Sequence, residues 1–285
     1  MLGRSGIEVS AIGFGCMGLS EFRGPTSAED GIKAIHRALE LGIDHFDTAD
    51  MYGHGANEEL VGAALAGRCG QVVIATKCGI VRSADGHRRD GRPQYIRDAC
   101  LCSLKRLRRE YVDLLYLHRV DPCVPIEDSV GEIARLVAEG KVRAIGLSKI
   151  DGGLLRRART VAPIATVQMS YSASDRRVEA ELLQVCREVG SALVAYSPLG
   201  GGSMARADVA GKLERVARDY NATPAQLALA WLLSRGPDVV PIPGMRLVAH
   251  VEENVAACRK VERAELEGAV EAVSRIVTSS AWAIH

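Results

Sequence analysis

The chain has 285 residues and a formal net charge of +1, with 47% hydrophobic and 25% charged residues. A balance this close to neutral gives no electrostatic basis for binding nucleic acid or an acidic membrane surface. No apolar run is long enough to span a bilayer, and Met1–Gly6 lacks the apolar stretch of a secretory signal, so a cytoplasmic protein is expected.

Apolar runs then alternate with amphipathic segments along the chain. Ala11–Gly15 reads as the first strand. Ser27–Leu41 reads as a helix with Ser27 as N-cap and Ile32, Ile35 and Leu39 on one face. His45–Asp47 and Val72–Lys77 are the next strands. Gln94–Leu107 begins after Pro93 and repeats Ile96, Leu101, Leu104 and Leu107 at helical spacing. Strand Val112–His118, helix Ser129–Ala138, strand Ala144–Ser148, helix Asp151–Thr160, strand Thr166–Met169, helix Val178–Val189 and strand Ala192–Tyr196 follow. A helical pattern resumes by about Val209. The helix Thr223–Leu233 opens with an N-cap threonine and proline at its first position, and Val239–Ile242 is the eighth strand. Strands alternating with helices imply parallel pairing through right-handed crossovers, and eight is the number that closes a barrel. The expected fold is therefore α/β, a (β/α)8 TIM barrel, with a doubly wound open sheet as the alternative. No long linker or low-complexity tract divides the chain, which gives one domain over residues 1–285.

Three features are read as ordinary. The eight cysteines form no Cys-x-x-Cys pair and are expected as reduced, mostly buried thiols. The seven histidines show no ligand spacing, so no metal site is expected. Gly13-Phe14-Gly15-Cys16-Met17-Gly18 matches the Gly-x-Gly-x-x-Gly dinucleotide fingerprint, but that motif needs a helix to open at its third glycine. Leu19–Pro25 reads as loop instead, and the glycines are expected to let a strand end lie close to the barrel mouth.

Four polar residues stand at or just beyond strand ends: Asp47, Tyr52, Lys77 and His118. In a parallel barrel those ends converge on one mouth. A free phenol has a pKa of about 10, too high for efficient acid–base work near neutrality. A neighbouring Lys77 ammonium would lower it, and Asp47 would hold the ammonium in place. His118 would hydrogen-bond a substrate oxygen or share the proton donation. Each residue alone has a structural explanation: a turn cap, a rim aromatic, a solvated lysine, a satisfied core histidine. Together they point to a site that polarises a carbonyl and protonates the alkoxide left by hydride addition.

Phe46-Asp47-Thr48-Ala49-Asp50-Met51-Tyr52-Gly53, Ile74-Ala75-Thr76-Lys77 and Leu115-Tyr116-Leu117-His118-Arg119 resemble the signature segments of the aldo-keto reductases, and the resemblance runs from Leu2 to Val255. It implies a (β/α)8 barrel that reduces a small carbonyl substrate with NADPH. Tyr52 would be the proton donor, Lys77 and Asp47 its tuning pair, and His118 the residue that orients the carbonyl. It further implies that Ser148 and Gln168 meet the nicotinamide carboxamide, and that Tyr196 stacks on the pyridine ring. Ser197, Leu199 and Gly244 would lie along the cofactor. Arg246 would grip the 2′-phosphate, with Glu253 and Asn254 near the adenine or ribose.

The sequence departs from that pattern in places. Lys149 stands where many members have asparagine, Met245 where a hydroxyl residue is usual, and His250 where many carry arginine. The loop that usually folds over the cofactor pyrophosphate is expected to be deleted or drastically shortened after Gly200. The substrate pocket is expected from Phe22, Tyr52, Val81–Arg92, Val120–Cys123 and Ser172–Arg177, an open site tolerant of varied carbonyls. Two other functions compete with it: an NADPH-binding regulatory or sensor subunit with vestigial turnover, and an unrelated barrel enzyme using Lys77 as a Schiff base.

Overall fold

A computed structural model describes residues 1–20, 27–83, 86–201, 207–261, 268, 272–273 and 275–276. Eight parallel strands form the frame: β1 (Phe14–Gly15), β2 (His45–Asp47), β3 (Val73–Cys78), β6 (Val112–Leu117), β7 (Val142–Ser148), β8 (Thr166–Ser170), β9 (Ala192–Tyr196) and β10 (Val239–Pro241). They pair in that order. The remaining two, β4 (Ile80–Ser83) and β5 (Gly86–Arg89), make a separate antiparallel hairpin. The ring closes between its ends. Gly13 N–H donates to Pro241 O at 2.9 Å, Gly15 N–H donates to Pro243 O at 2.9 Å, and Gly15 pairs in parallel with Gly244. A Cβ on Gly15 would lie 2.7 Å from Ile242 O, so only glycine lets the first strand approach the last this closely. The fold is a (β/α)8 barrel.

Alternation along each strand sorts the side chains into two cores. Phe46, Ile74, Leu115, Leu117, Leu147, Val167 and Leu193 face outward and pack with the helices. Val73, Ala75, Leu114, Tyr116, Ala144, Val194 and Val240 face inward and fill the barrel with Leu2 and Ile7. The N-terminal segment covers the end where strands begin, since Arg4 N–H donates to Gly190 O at 3.0 Å just before β9. Gly146 makes room inside for the Tyr116 ring, which a Cβ would meet at 2.3 Å.

The helices are α1 (Ala28–Glu40), α2 (Ala56–Ala64), α3 (Pro93–Leu107), α4 (Ile126–Ala138), α5 (Gly152–Arg159), α6 (Leu182–Val189), α7 (Ala207–Asp219), α8 (Pro224–Leu233) and α9 (Val248–Val261). Their starts follow local chemistry. Ser27 Oγ accepts from Asp30 N–H at 3.0 Å, Asp151 Oδ1 from Leu154 N–H at 2.8 Å, and Thr223 and Gln226 form a reciprocal capping box. The expected helix over 178–189 is divided, with a 3-10 turn at Arg177–Ala180 before α6. Cys16–Leu19 forms a single 3-10 turn, and no α-helix opens at Gly18. Four cysteines (16, 78, 100 and 186) are buried, while Cys69, Cys102 and Cys123 are exposed, so thiol burial is less general than expected. Among the described residues no helix is long and apolar enough to cross a membrane.

Candidate active site

The carboxyl ends of the strands surround a cavity of about 850 Å³. Asp47 ends β2, and the loop after it is stitched to β3: Thr48 N–H donates to Ala75 O at 2.9 Å and Asp50 N–H to Lys77 O at 3.1 Å. This stitching carries the chain to Tyr52, whose own N–H donates to Ala49 O at 3.1 Å at the start of a 3-10 turn. Lys77 comes one residue before the end of β3, and His118 directly follows β6. Inward alternation brings Asp47, Lys77 and His118 together, and the stitched loop brings Tyr52 to them.

Lys77 is fully buried. Its ammonium is paired with the Asp47 carboxylate, donates to Thr48 O at 2.7 Å and is hydrogen-bonded to the Tyr52 phenol. It lies 5.1 Å from the Tyr52 ring centre and 5.9 Å from that of Tyr116. The second Asp47 oxygen accepts from Gln168 Nε2 at 2.7 Å. His118 meets Tyr52 edge-on, with ring centres 6.0 Å apart, and its buried Nδ1 has no partner among the described residues.

The electrostatics correct one expectation. Burial pushes the Tyr52 phenol up, and Lys77 pulls it back only in part, so its pKa lies above the ordinary value rather than below. Burial alone would lower Lys77, but the Asp47 charge and the Asp47 and Tyr52 hydrogen bonds hold it above its usual range. His118 is held well below the ordinary histidine range by burial and then by Lys77, Lys149 and Arg119. At neutral pH the cluster thus holds a protonated phenol, an ammonium and a neutral imidazole.

Every position expected along the cofactor lines the same cavity: Ser148, Gln168, Tyr196, Ser197, Leu199, Gly244, Arg246, Glu253 and Asn254. Ser148, Gln168 and Tyr196 come from β7, β8 and β9, beside the four-residue cluster. Arg246 follows β10, and His250, Glu253 and Asn254 come from α9. This set fits a dinucleotide phosphate, with a hydroxyl, an amide and a stacking ring at one end and a guanidinium at the other. Met245 is fully buried in the outer core and does not line the cavity, so the hydroxyl lost there is not replaced by a side chain facing the site.

The expected substrate loops are only partly right. The hairpin residues Ile80, His87, Arg88 and Arg89 line the cavity, as do Met17 and Gly18 of the first 3-10 turn. Val120–Cys123 and Ser172–Arg177 do not. The latter loop folds on itself, with Ser172 Oγ accepting from Asp175 N–H at 3.0 Å and Asp175 pairing with Arg177 at 2.8 Å. Phe22 and the segment 202–206, where the shortened lid was expected, lie outside the described residues. Sequence reasoning missed Tyr116, although it sits two residues before His118 and so shares its face of the strand. It also assigned no role to Arg119 or Lys149, both of which line the cavity.

The model of the Aldo/keto reductase family matches residues 11–267. The chain is 43% identical over 303 aligned positions to a probable aldo-keto reductase 1 of Glycine max, covering 95% of this chain and 88% of that protein. It resembles the crystal structure of a thermostable aldo-keto reductase solved with the inhibitor epalrestat, with a TM-score of 0.84, 33% identity and coverage of 96% and 98% of the two chains. It also resembles an aldo/keto reductase from Klebsiella pneumoniae solved with NADP and acetate, with a TM-score of 0.81, 30% identity and coverage of 92% and 90%.

Proposed function

As the chain belongs to the aldo/keto reductase family, we propose that it reduces an aldehyde or ketone to the alcohol, with NADPH as reductant and Tyr52 as proton donor. The observation that carries this reading is the buried Lys77 ammonium, shared between Asp47, Thr48 O and the Tyr52 phenol at the wall of a cavity that His118 also lines. The Klebsiella relative, solved with NADP and acetate, supports the choice of cofactor.

Bound NADPH supplies the hydride that the carbonyl carbon accepts. The chain's residues do the rest. Tyr52, a phenol already protonated at neutral pH whose pKa burial raises further, is an acid rather than a base in the reducing direction. Lys77 beside it makes the phenolate left after proton transfer less costly. Asp47 offsets the cost of burying that ammonium, and Gln168 fixes Asp47 through its amide nitrogen. This leaves the Gln168 oxygen for the nicotinamide carboxamide, together with the Ser148 hydroxyl. His118, neutral, donates a hydrogen bond to the carbonyl oxygen and orients it toward Tyr52. Tyr196 supplies the stacking face, and Arg246 a forked donor for the 2′-phosphate.

The test is NADPH oxidation with a panel of aldehydes and ketones, comparing wild type with Tyr52→Phe. Turnover should fall by about 10²-fold or more in the variant, within the range general acid catalysis supplies, while NADPH affinity is retained. Equal turnover in both proteins would remove Tyr52 from the reaction. Tight NADPH binding without turnover of any carbonyl would favour the sensor reading instead.

A further inference from the structure

The rim of the cavity carries more positive charge than the proposed cofactor uses. Among the described residues Arg88, Arg89, Arg119, Lys149 and Arg246 line it, against the acids Asp47 and Glu253; Asp47 is committed to Lys77, and Arg88 is paired with Asp90 at 3.0 Å. Arg246 belongs to the β10 side. Arg119 and Lys149 follow β6 and β7, which lie fourth and fifth in the ring order, on the opposite side of the mouth from β10. Arg119 is the residue next to His118, so its backbone is about 3.8 Å along the chain from the residue proposed to hold the carbonyl.

Neither cation has an acidic partner among the described residues. Lys149 Nζ rests 5.0 Å above the centre of the Tyr196 ring, and the influences on it are burial, Arg119 and Lys77, with no carboxylate offsetting them. These leave its pKa at about 8. Asp175, whose charge reaches Tyr196 together with that of Arg119, is paired with Arg177 at 2.8 Å. The Lys149 backbone is fixed in a left-handed conformation (φ 56°), with its N–H donating to Gln168 O at 3.1 Å. A non-glycine residue held there carries some strain, and such positions cluster at ligand sites. Two half-buried cations repelling each other, both acting on His118, form a place for an anion.

Resting on the reductase reading above, we propose that the physiological substrate is an anionic carbonyl compound, a short aldehyde or ketone bearing a carboxylate or phosphate, whose anion sits between Arg119 and Lys149. Arg89 on the β4–β5 hairpin adds to the field that draws it in, whereas Arg88 is paired with Asp90 at 3.0 Å. No further chemistry is implied, because the anionic group is held and does not react.

Two matched pairs test this with the full-length enzyme and saturating NADPH: butanal against succinic semialdehyde for the carboxylate, and glyceraldehyde against glyceraldehyde 3-phosphate. The expected result is a kcat/KM at least about tenfold higher for the charged member of one or both pairs, falling with ionic strength. Arg119→Met and Lys149→Met should each lower the charged-to-neutral ratio by about tenfold, and Lys149→Arg should preserve it. A merely structural role would lower both members together and leave the ratio fixed, which would overturn the proposal, as would a ratio of one or less in both pairs. Which pair responds identifies the anion. If no carbonyl in either pair is reduced, the wider carbonyl panel decides the reductase reading, and calorimetric titration with succinate and with glycerol 3-phosphate decides the anion site by itself. Binding lost in the double variant supports the site, and absence of binding to wild type overturns it.

Discussion

Asp47→Asn probes the logic of the buried charge pair. Lys77 is fully buried and Asp47 is only 3% exposed, so the substitution leaves an ammonium with no counterion in a site shielded from water. Breaking a buried pair from one side costs roughly 3–5 kcal/mol. The loss has a ceiling, because Lys77 can discard its proton instead. Neutralising a lysine of ordinary pKa 10.5 at pH 7 costs about 1.4 kcal/mol per pH unit, or roughly 5 kcal/mol. The two figures agree, so the variant should fold, weakened by about 3–5 kcal/mol, with Lys77 neutral or nearly so. A pH signature follows. In the wild type the folded pKa of Lys77 is raised, so its contribution is complete below the unfolded value and is lost only as pH climbs above about 10. In the variant the folded pKa is depressed, the unfolded chain binds more protons, and stability rises between about pH 7 and 10. Urea denaturation across that range reads both effects, and Asp47→Asn/Lys77→Met should recover most of the loss. Equal midpoints for wild type and Asp47→Asn from pH 7 to 10 would refute the claim that Asp47 neutralises a buried cation.

Asp50 carries a carboxyl whose pKa burial and then the Glu58 charge raise from 3.8 to about 7, with its Oδ1 unpartnered among the described residues. It takes up a proton on folding between about pH 4 and 7, so its contribution to stability declines as pH rises through that window. Asp50→Asn should therefore stabilise the protein at pH 8 by about 2–4 kcal/mol, discounted for partial exposure, and by much less at pH 4.5. A midpoint shift equal at the two pH values would contradict this. Gly146→Ala places a Cβ 2.3 Å from the Tyr116 ring, which flanks Lys77 and whose hydroxyl accepts from Thr166 Oγ1 at 3.0 Å. Thermal melts should show a loss of about 1–3 kcal/mol or more, accompanied by lower turnover. Gly211→Ala, in α7 with nothing within 4 Å, should be neutral or slightly stabilising.

The barrel was legible because each central strand is a nearly unbroken apolar run bounded by helices. His45–Asp47 and Ala192–Tyr196 coincide with observed strands, and the others differ at their ends by one to three residues. The hairpin escaped notice because Ile80–Ser83 and Gly86–Arg89 are short, arginine-bearing and lack alternation. Helix α2 escaped because nine residues containing Asn57, Glu58, Glu59 and Gly62 show no clear apolar stripe. In the site, the four polar strand ends were visible as a pattern. Contacts between distant positions were not. Gln168 binds Asp47 across 121 residues, and Asn57 links the Thr48 hydroxyl to Cys16 O and Ser20 Oγ. The direction of the Tyr52 shift was missed for a related reason: charges can be counted along a sequence, but the depth of burial that outweighs them cannot.

The seam between β1 and β10 has a consequence for how the barrel responds to what it binds. β1 is two residues long, and two glycine amide bonds with one bridge join it to the last strand. Elements with so few bonds open locally at the least free energy, so the amides of Gly13 and Gly15 should exchange with deuterium sooner than those of β6 or β7. Gly244 is both a partner in the seam and part of the cavity wall. A molecule seated against it that requires the closed ring slows seam opening by 1 + [L]/Kd, about a hundredfold at a concentration one hundred times its dissociation constant. The barrel's thinnest joint is thus a reporter of occupancy, and the ligand acts as its clasp.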